Sequence, residues 1–311
     1  NAASAIPIYQ MFVEQAQKLD PRYLSMIIPA RWYVGGRGLD LFRNKMLHDT
    51  RIQCMHDYPN AADCFPGVEI KGGVCFFLWS RDYHGQCEIH THLEDRDLCS
   101  VRPLLEPGME TYIRTETEVG IVRKVMSTEK FYVADKMESG RYFGYHTQVI
   151  WDGDIGTLQT ADGKSSYSIS KIQVGEYLVK VYVAHGECWI KERDVKNRQA
   201  VSLYKVLVPN AGNPESTVLG KMKISEPGSC SSNTYNLFIA SSKNVLSYFM
   251  TKFVRFLVGV KTITQHTPPK VFGIVPLQDF SKPWTDAELY AKYKLTKDEI
   301  AFIESMIKPM E

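Results

Sequence analysis

An aromatic residue on a tight turn, with a lysine close behind it, is the clearest candidate for binding chemistry in this 311-residue sequence. Phe65 is followed by Pro66 and Gly67, which cannot continue a strand and so place the ring on a turn. Lys71 lies on the same short loop and supplies a positive charge. A flat ring on a rigid loop beside a cation is what stacking on a nucleic-acid base requires. The alternative is a core aromatic that adjoins a turn.

Two other groups of residues have the right types for ligand binding but not the right spacing. Metal-ligand types gather at His84, Cys87, His90, His92 and Cys99. They lack the paired spacing of a zinc knuckle, so surface histidines on a hairpin are the favoured interpretation and no metal is expected. The glycines of GGRG, residues 35–38, lack the G-x-G-x-x-G spacing and are interpreted as a plain turn. No G-x-S-x-G motif indicates a nucleophilic serine.

Polar and cationic residues in turn-rich segments of the second half could contact DNA. Such side chains can reach phosphate oxygens and base edges, although each one by itself could equally be a solvated surface residue. The candidates are Arg141, Tyr142, Lys261, Gln265, His266 and Lys270. The stretch KTITQHTPPK, residues 261–270, is the most suggestive because it follows a predicted helix.

Length and composition limit the class of protein. The chain exceeds the usual ~100–200 residues per domain, so two domains are expected. The net charge is only +2, so nucleic-acid binding would have to come from local patches. No apolar run reaches the roughly 18 residues of a membrane span, and no signal-peptide pattern is present. Seven cysteines without a C-x-x-C pair indicate reduced thiols in a cytosolic protein.

The first 110 residues predict half of an α/β sheet. A helix is expected at 8–19, with Ile8, Phe12, Ala16 and Leu19 on its apolar face, and a second helix is expected after Gly38. Strands are expected at 23–29, 51–57 and 74–79. The last strand, VCFFLW, has no polar alternation and should be buried on both faces of an open parallel sheet, where it would anchor the Phe65 loop. Residues 80–110 have the composition of a linker or surface hairpin.

The second half predicts a mixed α/β domain rich in turns. A helix at 116–126 is followed by strand-like segments at 144–151, 176–185, 200–208 and 235–241, and by a helix at 244–259 that ends at Gly259. Two short helices close the chain. The second of them should begin with a capping box made by Thr296 and Glu299.

Taken together, these residues resemble the C-terminal part of gamma-class adenine-specific DNA methyltransferases of restriction–modification systems. The resemblance covers most of the chain and is strongest at IPIYQMFVEQAQKL, PRYLSMIIPARWYVGGRGLDLFRNKML, CFPGVEIKGGVCFFLW and DAELYAKYKLTKDEIAFIESMIKPM. It implies that residues 1–110 are the second half of a Rossmann-like methyltransferase sheet and residues 111–311 a target-recognition domain. It also implies that Phe65 stacks on a flipped-out adenine.

Two motifs of that family are absent. The (N/D)-P-P-(Y/F) motif is missing, since the one Pro-Pro lies in Thr267-Pro268-Pro269-Lys270, and the F-x-G-x-G cofactor motif is missing too. In the family both precede the segment that begins at Ile6, so a chain starting at Asn1 is expected to be a fragment. S-adenosylmethionine is therefore expected in the full-length parent and not in this chain, which should be inactive alone.

The resemblance implies double-stranded DNA as the partner and a bacterial cytoplasmic location; a cognate nuclease or helicase, as a domain or a subunit, stays open. A competing hypothesis is a stand-alone DNA specificity module that docks on a separate methylase or nuclease, but it has no need of the strands predicted between 23 and 79. The reading frame upstream of Asn1 would separate these two. A sugar- or protein-binding β domain is a third hypothesis, and it predicts no salt-dependent DNA affinity.

Overall fold

The computed structural model describes residues 7–36, 38–184, 186–212, 218–232, 234–239, 242–262 and 266–309. Within these ranges the chain mixes helices with three sheets, which confirms the α/β class. The Rossmann-like arrangement stays a prediction. The chain divides into two units: unit 1 comprises residues 1–123 and 259–265, and unit 2 comprises residues 124–258 and 266–311.

Unit 1 is built on one sheet and the helices that cover one of its faces. Its elements are α1 (Tyr9–Lys18), β1 (Tyr23–Pro29), α2 (Asp40–His48), β2 (Ile52–Tyr58), β3 (Val74–Ser80), β4 (Cys87–Leu93), β5 (Arg96–Arg102) and the first part of α3 (Glu116–Thr128). The strand order is β1-β3-β2-β4-β5. β3 is antiparallel to both neighbours, so β1 and β2 run in the same direction. β2 and β4 are parallel, whereas β4 and β5 form an antiparallel hairpin.

This topology corrects one prediction and decides between the two alternatives of another. The expected parallel sheet is wrong for these five strands, because three of the four neighbouring pairs are antiparallel. Residues 80–110 are also not a linker: they form a hairpin, as the alternative prediction had it, and β4 extends the sheet by pairing with β2. Alternation of polar and apolar residues reveals that a strand exists but not which strand it pairs with.

The core of unit 1 lies between the sheet and the helices. Phe77 and Trp79 of β3 are buried against Trp32, which belongs to the 3-10 helix Ala30–Val34, and against Phe42 of α2. On the opposite face of β3, Phe76 and Leu78 are half-buried. The predicted anchor strand is therefore correct in place and in type. Its position between β1 and β2 explains the lack of polar alternation.

Helix α1 uses a different face from the one that its apolar spacing predicts. Val13 is buried and Tyr9 packs its ring edge-on against Phe42. Ile8, Phe12 and Leu19, which were expected to face the core, are exposed. Tyr9 and Val13, which are one helical turn apart, face the sheet instead.

Unit 2 contains two further sheets and the C-terminal helices. Its strands are β6 (Met137–Glu138), β7 (Tyr145–Asp152), β8 (Ile155–Thr160), β9 (Ser166–Ser170), β10 (Tyr177–Val183), β11 (Gly186–Lys191), β12 (Lys205–Val208), β13 (Lys223–Ser225), β14 (Ser229–Ser231) and β15 (Tyr235–Leu237). The helices that follow are α4 (Ser242–Met250), α5 (Lys252–Val260), α6 (Asp286–Lys292) and α7 (Lys297–Met306). One sheet has the order β14-β10-β11-β9-β8-β7 and the other β13-β12-β15-β6.

Most elements predicted for the second half are present. Strands β7, β10 and β15 and helix α3 confirm the predictions at 144–151, 176–185, 235–241 and 116–126. The strand predicted from residue 200 begins only at Lys205, because Arg198–Ala200 form a 3-10 helix. The capping box of α7 is confirmed: the Thr296 hydroxyl accepts the Glu299 N–H at 3.2 Å.

The single helix predicted over 244–259 is wrong. It is broken between Met250 and Lys252, and Gly259 lies inside α5 rather than at its end. The cause is a distant carboxylate. Asp286 accepts the backbone N–H of Lys252 at 3.1 Å and that of Phe253 at 2.8 Å, so it caps a new helix start.

Two global expectations concern cysteines and membranes. The seven cysteines are all free thiols; Cys75, Cys87, Cys188 and Cys230 are buried. No helix within the described ranges is long and apolar enough to cross a membrane.

Candidate functional site

Phe65 lies on the loop between β2 and β3, and hydrogen bonds fix its backbone from both sides. Its N–H donates to the carbonyl of Ala61 at 2.8 Å, and its own carbonyl accepts the N–H of Val68 at 3.0 Å. Asn60 caps the 3-10 turn that precedes it, since its side-chain oxygen accepts the N–H of Ala62 at 3.1 Å. The position of Phe65 is thus set by local backbone geometry.

The Phe65 side chain is 40% exposed, so the ring is not a core aromatic. Gly67 directly after the turn has φ +81°, a conformation that favours glycine, and no atom lies within 4 Å of where a Cβ would stand. Lys71, further along the loop, is also exposed. Phe65 and Lys71 are therefore both exposed on the same loop, and their role in binding a base stays a prediction.

The two ends of the loop meet at Gly73. A Cβ on this residue would lie 2.0 Å from the carbonyl oxygen of Tyr58 and 2.6 Å from that of Pro59. Only glycine allows the backbones to approach so closely, and its φ of +81° adds to that requirement. The loop is consequently closed at its base, just before β3 begins.

A buried polar cluster that the sequence did not reveal holds the same loop. Arg114 donates from Nη1 to Oδ2 of Asp57 and from Nη2 to the carbonyl of Gly72, each at 2.6 Å. The Tyr33 hydroxyl donates to the other Asp57 oxygen at 3.0 Å. Arg114 thus joins the second half of the loop to β2. A guanidinium suits this position because it donates in two directions at once.

The Asp57 carboxyl is completely buried. This burial raises its pKa, while the Arg114 guanidinium and the Tyr33 hydroxyl act in the opposite direction. The carboxylate is enclosed by its partners beneath the loop, so its role is to anchor the loop and not to contact a substrate.

The glycines at 35–38 form a turn whose donors are already used. The Gly36 N–H donates to Oδ1 of Asp40 at 3.1 Å. A Cβ on Gly35 would meet the side chains of Asp40 and Arg43 at 2.4 and 2.5 Å. A carboxylate thus occupies the place that a phosphate would need, in agreement with the interpretation as a plain turn.

In unit 2, the predicted DNA-contact residues Arg141 and Tyr142 lie on the turn before β7. Arg141 is exposed and donates to the carbonyl of Ala161 at 2.9 Å. The Asn197 side chain donates to the carbonyl of Tyr142 at 2.7 Å. The turn is therefore attached to the segment that follows β11.

That segment forms one wall of an open cleft with a volume of about 600 Å³. The cleft is lined by Tyr167, Arg193, Asp194, Val195, Lys196, Asn197, Arg198 and Gln199. Three cations face one carboxylate, so the lining is positively charged at neutral pH. Sequence reasoning missed this patch because acidic residues alternate with the cations in KERDVKNR, residues 191–198.

Of the predicted DNA-contact residues that the structure describes, none lines this cleft. His266 is exposed and forms a backbone bridge with Ala211, and Lys270 is exposed within the 3-10 helix Pro269–Ile274. Lys261 belongs to unit 1, and its side chain is only 12% exposed, 4.0 Å from the Glu110 carboxylate, which argues against DNA contact. Gln265 lies outside the described residues.

Two comparisons with known proteins find similarity to methylases. Residues 1–65 match the family model of the Eco57I restriction-modification methylase. An uncharacterized adenine-specific methylase of Mycoplasma pneumoniae is 31% identical over 149 residues, which are 48% of this chain and 35% of that relative. Parts of this chain are thus similar to restriction-modification and adenine-specific methylases. The resemblance drawn from the sequence is confirmed at this level. The chain spans about a third of the length of the curated relative.

Methylases of this kind use S-adenosylmethionine, but the residues at hand do not fit that cofactor. The sequence has no F-x-G-x-G motif. The one glycine-rich turn of comparable type, at Gly35–Gly36, is filled by the Asp40 and Arg43 side chains and follows a 3-10 helix instead of a strand.

Proposed function

We propose that this chain is the base-holding and DNA-reading part of an adenine-specific DNA methyltransferase. The parent protein would transfer a methyl group from S-adenosylmethionine to an adenine amino group in double-stranded DNA, in the bacterial cytoplasm. The supporting observation is the exposed Phe65 ring on a fixed loop, at the end of the segment that matches the methylase family. In this proposal residues 1–110 complete a Rossmann-like catalytic domain and residues 111–311 recognise the target.

The role of Phe65 follows from the energetics of base flipping. A base leaves the duplex at a cost of a few kcal/mol in lost pairing and stacking. Stacking on an aromatic face returns roughly 1–3 kcal/mol of this. Because hydrogen bonds already hold the Phe65 backbone, little conformational entropy is lost when the base arrives. The loop can therefore retain an extrahelical adenine but performs no bond-making step.

One prediction follows from the missing motifs: this chain binds no S-adenosylmethionine. An Asn or Asp side chain and a Pro-Pro backbone must hold the adenine amino group toward the methyl donor, and neither they nor the cofactor motif are in the sequence. Isothermal titration of the chain with S-adenosylmethionine should give no binding heat. A dissociation constant in the micromolar range would contradict the proposal for the cofactor.

A second prediction concerns the cationic cleft. If Lys196 and Arg198 contact phosphates, Lys196→Ala and Arg198→Ala should each weaken binding to all duplex sequences alike. Each should also lower the slope of log affinity against log salt by about one. Fluorescence anisotropy of a labelled duplex over a series of salt concentrations measures both quantities.

Lys297→Ala is the matched control, since it removes one exposed positive charge at the start of α7, and Lys297 does not line the cleft. This variant should show the same salt slope as the unmodified chain, because only phosphate contacts release counterions. A drop in slope equal to that of Lys196→Ala would show that the cleft is not the DNA-binding surface. DNA affinity that does not depend on salt would instead favour the sugar- or protein-binding hypothesis.

A further inference from the structure

A group of sulfur and imidazole side chains lies on the face of the unit 1 sheet that is opposite the core. On β2, Met55 and Asp57 are buried, whereas the alternating residues Cys54 and His56 are half-buried on the other face. The parallel pairing of β2 with β4 places His56 directly beside His90. Residues that are 34 positions apart in the sequence thereby become neighbours.

From this arrangement we infer that Cys54, His56 and His90 bind one zinc-type divalent metal ion. Their ligand atoms all lie within 4.8 Å of one another, and all three side chains are half-buried. With metal–nitrogen bonds of about 2.0–2.1 Å and metal–sulfur bonds of about 2.3 Å, donors on one ion lie roughly 3.3–3.8 Å apart. The ligand atoms must therefore approach one another by rotation of their side chains when the ion binds. A Cys-x-His pair on one strand and a histidine on the next supply three ligands and leave a fourth position for water.

The hydrogen bonds around His56 prepare it as a ligand. Asp97 accepts from Nδ1 of His92 at 2.8 Å, since an ionised carboxylate can only accept. Nε2 of His92 is then the acceptor for Nδ1–H of His56, 2.9 Å away. This order of donors leaves Nε2 of His56 unprotonated, with its lone pair available to a metal. His92, which Asp97 holds in turn, is therefore the outer-shell group that orients the ligating imidazole through its other nitrogen.

His90 is prepared in the same way. Its Nε2 lies 2.9 Å from Oε1 of Glu88, to which it donates, and its Nδ1 is therefore unprotonated. The rings of His56 and His90 stack on each other, with centroids 4.4 Å apart and an angle of 6° between their planes. Lone pairs lie in the ring planes, so parallel rings cannot both point at one ion. Metal binding consequently turns a ring and breaks the stack.

The donor set identifies the class of metal. One thiolate and two imidazoles suit zinc, cobalt or copper ions and not magnesium or calcium. A second thiol, Cys99, lies beside His90 on β5, where Glu88, His90 and Cys99 form an overlapping group. A disulfide between Cys54 and Cys99 does not compete, because β4 separates their strands by about 10 Å, beyond the reach of a disulfide.

The test uses the full 311-residue chain, reduced and treated with a chelator, then titrated with zinc chloride by calorimetry and with cobalt chloride by absorption. One ion per chain should bind, and the cobalt form should show a thiolate charge-transfer band. Cys54→Ser should remove the band and should weaken binding more than the ~10–100-fold that outer-shell changes cause. Glu88→Gln, which changes the direct hydrogen-bond partner of His90, should weaken binding by about 10–100-fold and keep the band.

Cys99→Ser is the matched control because it removes a neighbouring thiol that is not in the proposed set. It should leave stoichiometry, affinity and the band unchanged. His90→Gln should abolish binding and so checks the result independently of the cysteine. The inference is overturned if the unmodified chain binds no zinc, if Cys54→Ser binds as the unmodified chain does, or if Cys99→Ser abolishes the band.

Discussion

Arg114→Ala is expected to lower the free energy of unfolding of this chain by about 3–5 kcal/mol, the range for one partner lost from a buried ion pair. The substitution leaves the fully buried Asp57 carboxylate without the guanidinium that lies 2.6 Å away. It also removes the hydrogen bond to the Gly72 carbonyl, which fixes the loop of Phe65. Urea denaturation followed by far-ultraviolet circular dichroism measures the change.

Arg96→Ala provides the comparison. Arg96 approaches the exposed carboxylate of Asp95 at 3.8 Å, and exposed pairs of this kind contribute about 0–1 kcal/mol. Asp57→Asn combined with Arg114→Ala should recover part of the loss, because no charge then remains buried. If Arg114→Ala cost no more than Arg96→Ala, the buried cluster would not be the anchor of the loop.

The decrease in unfolding free energy caused by Arg114→Ala should also depend on pH. Burial raises the folded-state pKa of Asp57 above its unfolded value, so the folded form holds this proton more tightly. Its contribution to stability is therefore greatest at acidic pH and falls as pH rises through the folded pKa. Removal of Arg114 raises the pKa of Asp57 further. The difference between the two proteins should be small where Asp57 is protonated and reach its full size at neutral pH.

The parts of unit 1 that the sequence predicts are those set by local pattern. The run VCFFLW indicated an interior strand, and Phe65-Pro66-Gly67 indicated an exposed ring on a turn; both are present. A turn needs only its own residues. A short apolar run that is rich in aromatic residues and follows a pair of glycines favours a strand over a buried helix. Such features can be predicted without knowledge of the neighbouring strands.

The features that the sequence did not predict depend on pairing between distant segments. Arg114 reaches Asp57 over 57 positions, and the register of β2 on β4 brings Cys54 and His56 to His90. The break before Lys252 likewise depends on the remote Asp286. Strand register and remote caps are set by the whole fold, and no local spacing encodes them.

Phe65→Ala in a full-length methylase containing this chain is expected to reduce kcat/KM by roughly 5- to 150-fold. This factor corresponds to about 1–3 kcal/mol of lost stacking on the extrahelical adenine. Steady-state methylation of a duplex with one target site measures the effect. A fluorescent base analogue at the target position reports separately on capture of the flipped base.

The controls distinguish stacking from a general disturbance of the loop. Phe65→Tyr keeps the planar ring and should retain most activity, whereas Val68→Ala shortens another exposed apolar side chain of the loop and should have little effect. Stability should not change in Phe65→Ala, because the ring is 40% exposed and contributes little to the core. Unchanged methylation at unchanged stability would show that Phe65 does not hold the base. A loss of activity that Phe65→Tyr also shows would indicate a requirement for the shape of Phe itself, and not for stacking.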